Sequence, residues 1–348
     1  MNLMSATPLS LPTTRQAAPV RHSLHLSTLV RRYAIFGLLL VMLLGFGYAE
    51  PAFWTLANAM SVLQGVSVVA ILGIGVTITM AVAGFDLSIG AIAASSVMVA
   101  SYSMVVWDNG ALASLVAVLT LGILVGLANA FLIVKLKVPD LLATLAVMFL
   151  LGGLQLIPTA GRAISSGLIL PDGSSANGVF SPDFLALGRA ALGDVVPIPV
   201  VILAVLALVF FLLTERTRFG RLLFATGGNE LAARLAGAPT ARLKVLAYVI
   251  SGSLASIGGA LVAARVGRGD VSSGSSLLMD AVAASLIGYA VLDARRPNVA
   301  GTVIGAIFVG VLLNGLTMLN APYYTQDFVK GAVLVGALAM TYGLSRRD

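Results

Sequence analysis

Long apolar runs recur along almost the whole chain. Each approaches the roughly 20 residues that an α-helix needs to cross the hydrocarbon core of a bilayer. The runs are 33–49, 62–83, 87–106, 111–134, 141–157, 195–213, 245–264, 277–292, 299–318 and 328–344. A soluble core cannot bury so many such segments in a chain that is 59% hydrophobic and only 10% charged. We therefore predict an all-α, polytopic membrane protein with about ten transmembrane helices.

The basic residues are unevenly distributed among the loops that join these runs. With the N-terminus in the cytoplasm, 16 of the 21 lysine and arginine residues fall in cytoplasmic segments, six of them in the loop 214–244. Cytoplasmic loops of membrane proteins carry such an excess of positive charge. We therefore predict that both termini are cytoplasmic. The segment 159–196 is then a periplasmic loop, either an ordinary surface loop or part of the landing surface for a soluble binding protein.

The N-terminal residues 1–32 are rich in Ser, Thr, Pro and Arg, which predicts a cytoplasmic tail ahead of a transmembrane domain at 33–348. A signal peptide that ends near Ala49 is the alternative, but the long polar tail and Pro51 favour a retained first helix. The chain has no cysteine, and its two histidines lie in the tail, so no catalytic, metal or cofactor site is predicted. The basic residues form no patch, which argues against a nucleic-acid partner despite the net charge of +7.

One polar, helix-forming segment, 226–239, stands between long apolar runs. Asn229 can cap a helix there, because its side-chain oxygen can accept from the free N–H groups of a first turn. Glu230 and Arg234 are four residues apart in the favoured acid-then-base order. Gly237 can adopt the left-handed conformation that ends a helix, and Pro239 prevents a restart. We expect one isolated cytoplasmic helix of about three turns.

Asp86 stands between two apolar runs with no basic residue near it in the sequence. The preferred interpretation is a helix cap, whose carboxylate accepts from the first free amides of the following helix. The other interpretation is a break of the helix within the membrane, beside a transport pathway. Backbone of that kind is tolerated only against protein or a water-filled cavity. Gly84 and Gly90 make such a break feasible, and the two interpretations are compatible.

Neutral polar side chains within the apolar runs are further candidates. Amides and hydroxyls could line a pathway for a hydroxylated solute, although most intramembrane polar residues simply bond a neighbouring helix. Together with Asp86, the residues assigned to the translocation pathway are Gln64, Ser88, Asn129, Thr144 and Asn314. Asp280 is interpreted as a capping or interfacial residue, and Asp327 is expected to pair with Lys330 or to reach the interface.

Three stretches resemble, in the expected order, signature segments of the permease subunits of ribose/galactose-type ABC importers. They are Ala-Gly-Phe-Asp-Leu-Ser-Ile-Gly at 83–90, Lys-Leu-Lys-Val-Pro-Asp-Leu-Leu-Ala-Thr-Leu at 135–145, and the glycine-rich segment at 226–239. The resemblance runs from about 62 to 341. It implies that the third stretch is a coupling helix that sits in a cleft of the ATPase. The residues assigned to this contact are Gly228, Asn229, Glu230, Ala233, Arg234 and Gly237.

The resemblance also implies the partners, the location and an alternating-access mechanism. This chain has no Gly-x-x-x-x-Gly-Lys-Ser/Thr motif, so we do not expect it to be an enzyme. A separate ATPase subunit would hydrolyse ATP. A periplasmic binding protein would deliver a monosaccharide or sugar-like solute. A second permease chain, identical or different, would complete the pathway in the lipid of the bacterial inner membrane. The turn within 287–298 departs from the family's Gly-Gly-x-Gly pattern, so the solute is not assigned by analogy.

Two other classes of function fit the sequence less well. An ion-gradient-driven secondary transporter would use Asp86 and Asp280 as its coupling groups. A structural or assembly membrane protein would have no evident need for a capped cytoplasmic helix.

Overall fold

The structure is a computed structural model that describes residues 26–290 and 296–343, and it is almost entirely α-helical. This part of the chain contains 13 α-helices. They are α1 (Leu26–Ala49), α2 (Leu56–Met80), α3 (Ile89–Val105), α4 (Ala111–Ala130), α5 (Asp140–Leu154), α6 (Pro182–Arg189), α7 (Ile198–Arg216), α8 (Arg218–Gly228), α9 (Glu230–Leu235), α10 (Thr240–Val266), α11 (Ser275–Ala290), α12 (Val299–Met318) and α13 (Tyr323–Gly343).

Smaller elements connect these helices. A π-helical turn, Phe131–Lys135, continues α4, and 3-10 turns lie at Pro51–Trp54 and Ile157–Thr159. The predicted outer loop carries two antiparallel two-residue hairpins, β1 (Leu168–Ile169) with β2 (Ser175–Ala176) and β3 (Ala191–Leu192) with β4 (Val196–Pro197). The helix α6, which was not predicted, lies between the two hairpins.

Each of the ten apolar runs coincides with a helix, so the predicted all-α membrane fold is confirmed. Helix α1 begins at Leu26 and so includes the last seven residues of the predicted tail 1–32. Residues 1–25, 291–295 and 344–348 lie outside the described residues. The ends of the eighth and tenth runs, and most of the turn that departs from the family pattern, therefore lie there too.

Six helical segments of the described chain are long and apolar enough to cross a membrane. They are Leu56–Met80, Ala111–Lys135, Asp140–Thr159, Ile198–Arg216, Thr240–Val266 and Val299–Met318. Three shorter apolar helices accompany them, at Ile35–Ala49, Ile89–Val105 and Ser276–Tyr289. These segments make the chain a multi-pass membrane protein.

Helices α2 and α10 form the centre of the bundle. The middle of α2, from Ser67 to Thr79, is buried on nearly all sides because α3, α7, α10, α11 and α12 surround it. Small residues allow the helices to pack this closely. An added methyl group on Gly122 of α4 would overlap the carbonyl oxygen of Gly252 in α10. One on Gly305 of α12 would overlap the carbonyl oxygen of Ala284 in α11, so both glycines allow close helix packing.

The outer helices present apolar side chains away from the protein. More than half of the surface is exposed in each of Leu112, Leu124, Phe149, Leu150 and Leu208. In a soluble protein such an apolar surface would favour aggregation, but contact with lipid tails costs it no free energy. The exposed apolar surface on α4, α5 and α7 is therefore suited to contact with lipid or with another membrane helix.

The segments predicted to be cytoplasmic meet at one end of the bundle. Glu230 of α9 pairs with Lys244 near the start of α10, and Glu215 at the end of α7 pairs with Arg296, just before α12. Asp140 at the start of α5 bonds the backbone of Phe85, between α2 and α3. This shared end holds the candidate site.

Candidate functional site

The segment 226–239 contains the predicted cap and the predicted stop. The side-chain oxygen of Asn229 accepts a hydrogen bond from the backbone N–H of Ala232 at 2.9 Å. Gly237 has a φ of +87°, in the left-handed region. The backbone N–H of Ala238 then bonds the carbonyl oxygen of Ala233 at 2.9 Å, as expected where a helix ends on such a glycine. Local side-chain chemistry therefore fixes both ends of α9.

The prediction of one isolated helix of about three turns is wrong. The helix α9 has only six residues, and α8 directly precedes it. Asn229 separates the two helices because its backbone is extended, with φ −156° and ψ 99°. Residues 218–235 thus form a bent pair of helices, called the α8–α9 segment below.

Glu230 does not pair with Arg234 as its spacing suggested. Its Oε2 accepts a hydrogen bond from Nζ of Lys244 at 2.6 Å, which ties α9 to α10. Arg234 is exposed and lies beside a cavity. The hydrogen bond from Lys244 and the charges of Lys244 and Arg234 hold the pKa of Glu230 below its usual value, against a smaller opposing effect of burial.

The Glu230–Lys244 pair gives stability that depends on pH. Because the folded pKa lies below the ordinary value of 4.5, the contribution is present at neutral pH and is lost as pH falls through the folded pKa. The carboxylate side chain is 40% exposed, so solvent limits the contribution to about 0.5 kcal/mol. We expect the thermal midpoint of the wild type to exceed that of Glu230→Gln at pH 7. That difference should shrink below pH 4.5, and a constant difference would contradict the pairing.

Two leucines of α9 were not singled out in the sequence. Leu231 is 59% exposed and Leu235 is 81% exposed, one helical turn apart. Ala233, by contrast, is buried. At Gly228 an added Cβ would meet no other described atom within 4 Å. An apolar pair on the outside of a polar segment suggests a contact with another protein.

The inner side of the α8–α9 segment touches two other parts of the bundle. A methyl group on Gly227 would overlap the carbonyl oxygen of Ala81, at the end of α2. The guanidinium of Arg296 lies 4.6 Å from the ring centre of Phe224 in α8 and bonds Glu215 at 2.6 Å. The segment is therefore in direct contact with the start of the α2–α3 connection and with the residues before α12.

That connection, residues 81–88, is called the unwound segment. Asp86 lies within it and is completely buried. Its Oδ1 accepts from the backbone N–H of Ser88 at 2.9 Å and from the hydroxyl at 2.6 Å, and its Oδ2 accepts from Ser251 of α10 at 2.7 Å. Asn129 of α4 donates to the Ser88 hydroxyl at 2.8 Å. The cap interpretation is correct only in part, because α3 begins at Ile89 and Asp86 bonds a single amide before it.

Helix α5 holds the same segment from another side. The backbone N–H of Phe85 donates to Oδ2 of Asp140 at 2.6 Å, and that of Leu87 donates to the hydroxyl of Thr144 at 3.2 Å. Thr144 in turn donates to the carbonyl oxygen of Asp140 at 2.9 Å. Asp140 was not among the predicted site residues, although it lies in a stretch that carries the family resemblance.

The six residues assigned to the pathway therefore fall into two groups. Asp86, Ser88, Asn129 and Thr144 converge on the unwound segment. Gln64 lies elsewhere and donates to the carbonyl oxygen of Gly188 at 2.7 Å. Asn314 exchanges hydrogen bonds of 3.0 and 3.2 Å with Asn58.

Asp280 has a charged partner. It accepts from Nζ of Lys330 at 3.0 Å, with the two side chains only 10% and 16% exposed. Lys330 also bonds Asp327 at 2.8 Å, so the predicted Asp327–Lys330 pair is present. Asp280 thus joins α11 to α13, and because it lies inside α11 it does not cap that helix. Its predicted interfacial position stays a prediction.

Comparisons with known proteins agree with this arrangement. Residues 58–338 match a family model described as the permease component of a branched-chain amino acid transport system. The ribose import permease protein RbsC of Escherichia coli K12 is 34% identical over 300 residues, which cover 86% of this chain and 90% of RbsC. RbsC of Bacillus subtilis is 30% identical over 329 residues, with 94% and 98% covered.

The xylose transport system permease protein XylH of Escherichia coli K12 is 30% identical over 392 aligned positions, which cover 99% of this chain and 98% of XylH. No solved structure gives a significant match. The matches extend over nearly the full length of these relatives and include both the unwound segment and the α8–α9 segment. The chain belongs to this family of permease subunits of ABC importers.

Proposed function

We propose that the chain is the membrane subunit of an ATP-driven importer for a pentose or a related monosaccharide in the bacterial inner membrane. The substrate class is drawn from the names of the relatives, which transport ribose and xylose. The same relatives favour ATP-driven import over the ion-gradient alternative. Asp280 is already paired with Lys330, and Asp86 accepts three hydrogen bonds, which also fits that preference.

The topology proposed for this subunit has ten spans and both termini in the cytoplasm, with a tail at 1–32 and the transmembrane domain at 33–348. The clustering of the segment 131–140, the α8–α9 segment and Arg296 at one end of the bundle supports it. The loop 159–196 would then face the periplasm and contribute to the surface for a binding protein. A second permease chain, identical or different, would complete the transport pathway.

The observation that carries the proposal is the two-sided character of the α8–α9 segment. Its outer side exposes Leu231 and Leu235, and its inner side contacts Lys244, Ala81 and Arg296. A cytoplasmic ATPase that binds the leucines could therefore move the unwound segment and α10. Glu230, Ala233 and Arg234, assigned to the ATPase contact from the sequence, would instead transmit that motion, with Asn229 and Gly237 shaping the segment. Gly228, also assigned to that contact, has open space at its Cβ position and would have no structural role.

Replacing both leucines by aspartate is expected to remove the ATPase from the complex. Burial of one leucine contributes about 1.5–3 kcal/mol, and a charge in an apolar cleft adds a desolvation cost. The measurement is co-purification in detergent with the ATPase subunit of the same importer. The control is Leu192→Asp, an equally exposed leucine in β3 on the other side of the bundle. Retention of the ATPase by the Leu231→Asp/Leu235→Asp variant would contradict the proposed contact.

The substrate is tested separately, in proteoliposomes that contain this chain, the ATPase and the binding protein. Uptake of labelled ribose or xylose should require ATP on the side of the ATPase and should stop when the binding protein is omitted. Uptake that continues without ATP, or that responds instead to a proton or sodium gradient, would contradict an ATP-driven importer.

A further inference from the structure

A cavity of about 310 Å³ lies on the inner side of α9. It is enclosed by α9, the start of α10, the connection between α4 and α5, and the unwound segment. The polar side chains of its wall are those of Lys137, Asp140, Glu230, Arg234, Thr240, Lys244 and Tyr248. This volume is at the lower end of the range for small-molecule sites. Because Leu231 and Leu235 are exposed, a partner bound to them need not fill the cavity.

The charges of the wall are not balanced. Three basic and two acidic side chains line it, which gives a formal net charge of +1. Glu230 pairs with Lys244, and Asp140, which keeps its negative charge, accepts from the backbone N–H of Phe85, each at 2.6 Å. Within residues 26–290 and 296–343, Lys137 and Arg234 make no ion pair and no side-chain hydrogen bond. These two cations belong to different elements, so a ligand between them would join α9 to the α4–α5 connection.

Two further features of the wall resemble those of ligand sites. Lys137 and Ala83 have φ values of +59° and +56°, a left-handed conformation that residues with a Cβ rarely adopt and that clusters at ligand-binding and switch regions. Tyr248 lies in the inner wall, and its buried hydroxyl has no hydrogen-bond partner of good geometry among the described residues. Buried hydroxyl groups are normally satisfied, so this one calls for an explanation.

We propose that this cavity binds a small phosphate-bearing anion, held between the ammonium of Lys137 and the guanidinium of Arg234. Phosphate suits this pair because its oxygens can accept from both cations at once. The same chemistry is available from a free phosphate or phosphate ester and from the headgroup of an anionic lipid. The bound anion fixes α9 against the α4–α5 connection, and its effect on transport rests on the function proposed above. Binding itself does not depend on that function.

The test of binding uses single-cysteine variants of the full chain, which contains no native cysteine. Ala241→Cys places a thiol in the cavity wall, and Ala225→Cys places one on the exposed side of α8, outside the wall. Each variant is labelled with a maleimide in nanodiscs of phosphatidylcholine, with inorganic phosphate or with sodium chloride of equal ionic strength. Phosphate is expected to slow labelling of Ala241→Cys and to leave Ala225→Cys unchanged.

Neutral variants then test the two cations. Lys137→Gln and Arg234→Gln, each in the Ala241→Cys background, should weaken the protection by phosphate about tenfold. Arg242→Gln removes an exposed charge just outside the wall and should leave protection intact. The proposal is overturned if phosphate gives no protection beyond chloride, or if the Lys137→Gln/Arg234→Gln double variant is protected as well as its parent.

The source of the anion is resolved by the lipid. If a headgroup fills the site, adding phosphatidylglycerol to the nanodiscs will itself slow labelling of Ala241→Cys and remove the further effect of phosphate. If the source is a free phosphate compound, phosphate will protect equally in both lipids. If phosphate protects Ala241→Cys but Arg234→Gln takes up solute as fast as the wild type, the site would stand and only its role in coupling would be overturned. Absence of ATP-driven uptake in the wild type would count against the proposed function and not against the site.

Discussion

Replacing Asp86 with alanine is expected to cause a large loss of stability and to abolish transport. The change leaves the Ser88 amide, the Ser88 hydroxyl and the Ser251 hydroxyl without their acceptor in a fully buried position. An unsatisfied buried donor costs about 1–3 kcal/mol, and more where the acceptor was charged. We therefore expect a loss of about 3 kcal/mol or more, because three donors are affected. The measurements are thermal unfolding in detergent and ATP-driven uptake in proteoliposomes.

The chain contains a matched control for this change. Asp172 accepts from the backbone N–H and the hydroxyl of Ser174 at 3.0 and 2.6 Å, the same two local bonds that Asp86 makes with Ser88. Asp172 is exposed, and among the described residues its carboxylate has no third hydrogen bond comparable to that from Ser251. Asp172→Ala should therefore unfold and transport like the wild type. If Asp86→Ala behaved in the same way, the buried network would not be what holds the unwound segment.

Asp86→Asn separates stability from transport. The amide oxygen can still accept from Ser88, and the amide nitrogen can donate to the Ser251 hydroxyl instead of accepting from it. The variant should therefore unfold closer to the wild type than Asp86→Ala does. A normal rate of uptake in this variant would show that the shape of the network is required and that the negative charge is not.

The helices of the ten apolar runs and the ends of α9 were predictable because they depend on residues close together in the sequence. An apolar run of about 20 residues forms a helix in lipid because its backbone must satisfy its own hydrogen bonds. Asn229 and Gly237 act on amides and carbonyls within four residues of themselves. Such local signals survive in almost any tertiary context, so the sequence alone was sufficient for them.

The partners of the charged residues were less predictable, because tertiary geometry chooses among them. Glu230 has Arg234 four residues ahead but bonds Lys244, which approaches only after the chain has turned at Gly237 and Pro239. Asp140 bonds the backbone N–H of Phe85, a donor that every residue except proline carries and that no sequence pattern marks. Asp280 lies 50 positions from Lys330, so nothing local indicated their pairing.

Residue type alone also could not sort the candidate pathway residues. Asn129 and Asn314 are both amides in apolar helices, yet Asn129 joins the network around Asp86 and Asn314 bonds Asn58. The difference lies in which neighbour each helix face meets, and that depends on packing. For the same reason the exposed positions of Leu231 and Leu235 became apparent only once α8 and α9 were placed.

Replacing Gly227 with alanine is expected to uncouple ATP hydrolysis from transport. The added methyl group would overlap the carbonyl oxygen of Ala81 and lie 3.0 Å from the backbone nitrogen of Ala83. Both are backbone atoms that cannot turn away, so the α8–α9 segment and the unwound segment must move apart. Overpacking of this kind costs about 1–3 kcal/mol. A shift of that size in the arrangement that transmits motion corresponds to a loss of uptake of about tenfold or more.

The neighbouring glycine provides the control. A methyl group on Gly228 meets nothing within 4 Å in the described part of the chain, and neither glycine needs a left-handed backbone. Gly228→Ala therefore adds the same atoms to the same helix without the overlap. Both variants should bind the ATPase, because Leu231 and Leu235 are untouched. Gly227→Ala should then hydrolyse ATP with little uptake, while Gly228→Ala transports normally.

Equal uptake by the two variants would mean that motion of α8 does not reach the unwound segment through Ala81. The contacts of Arg296 with Phe224 and Glu215 would then be the remaining connection between the α8–α9 segment and the helices at the centre of the bundle.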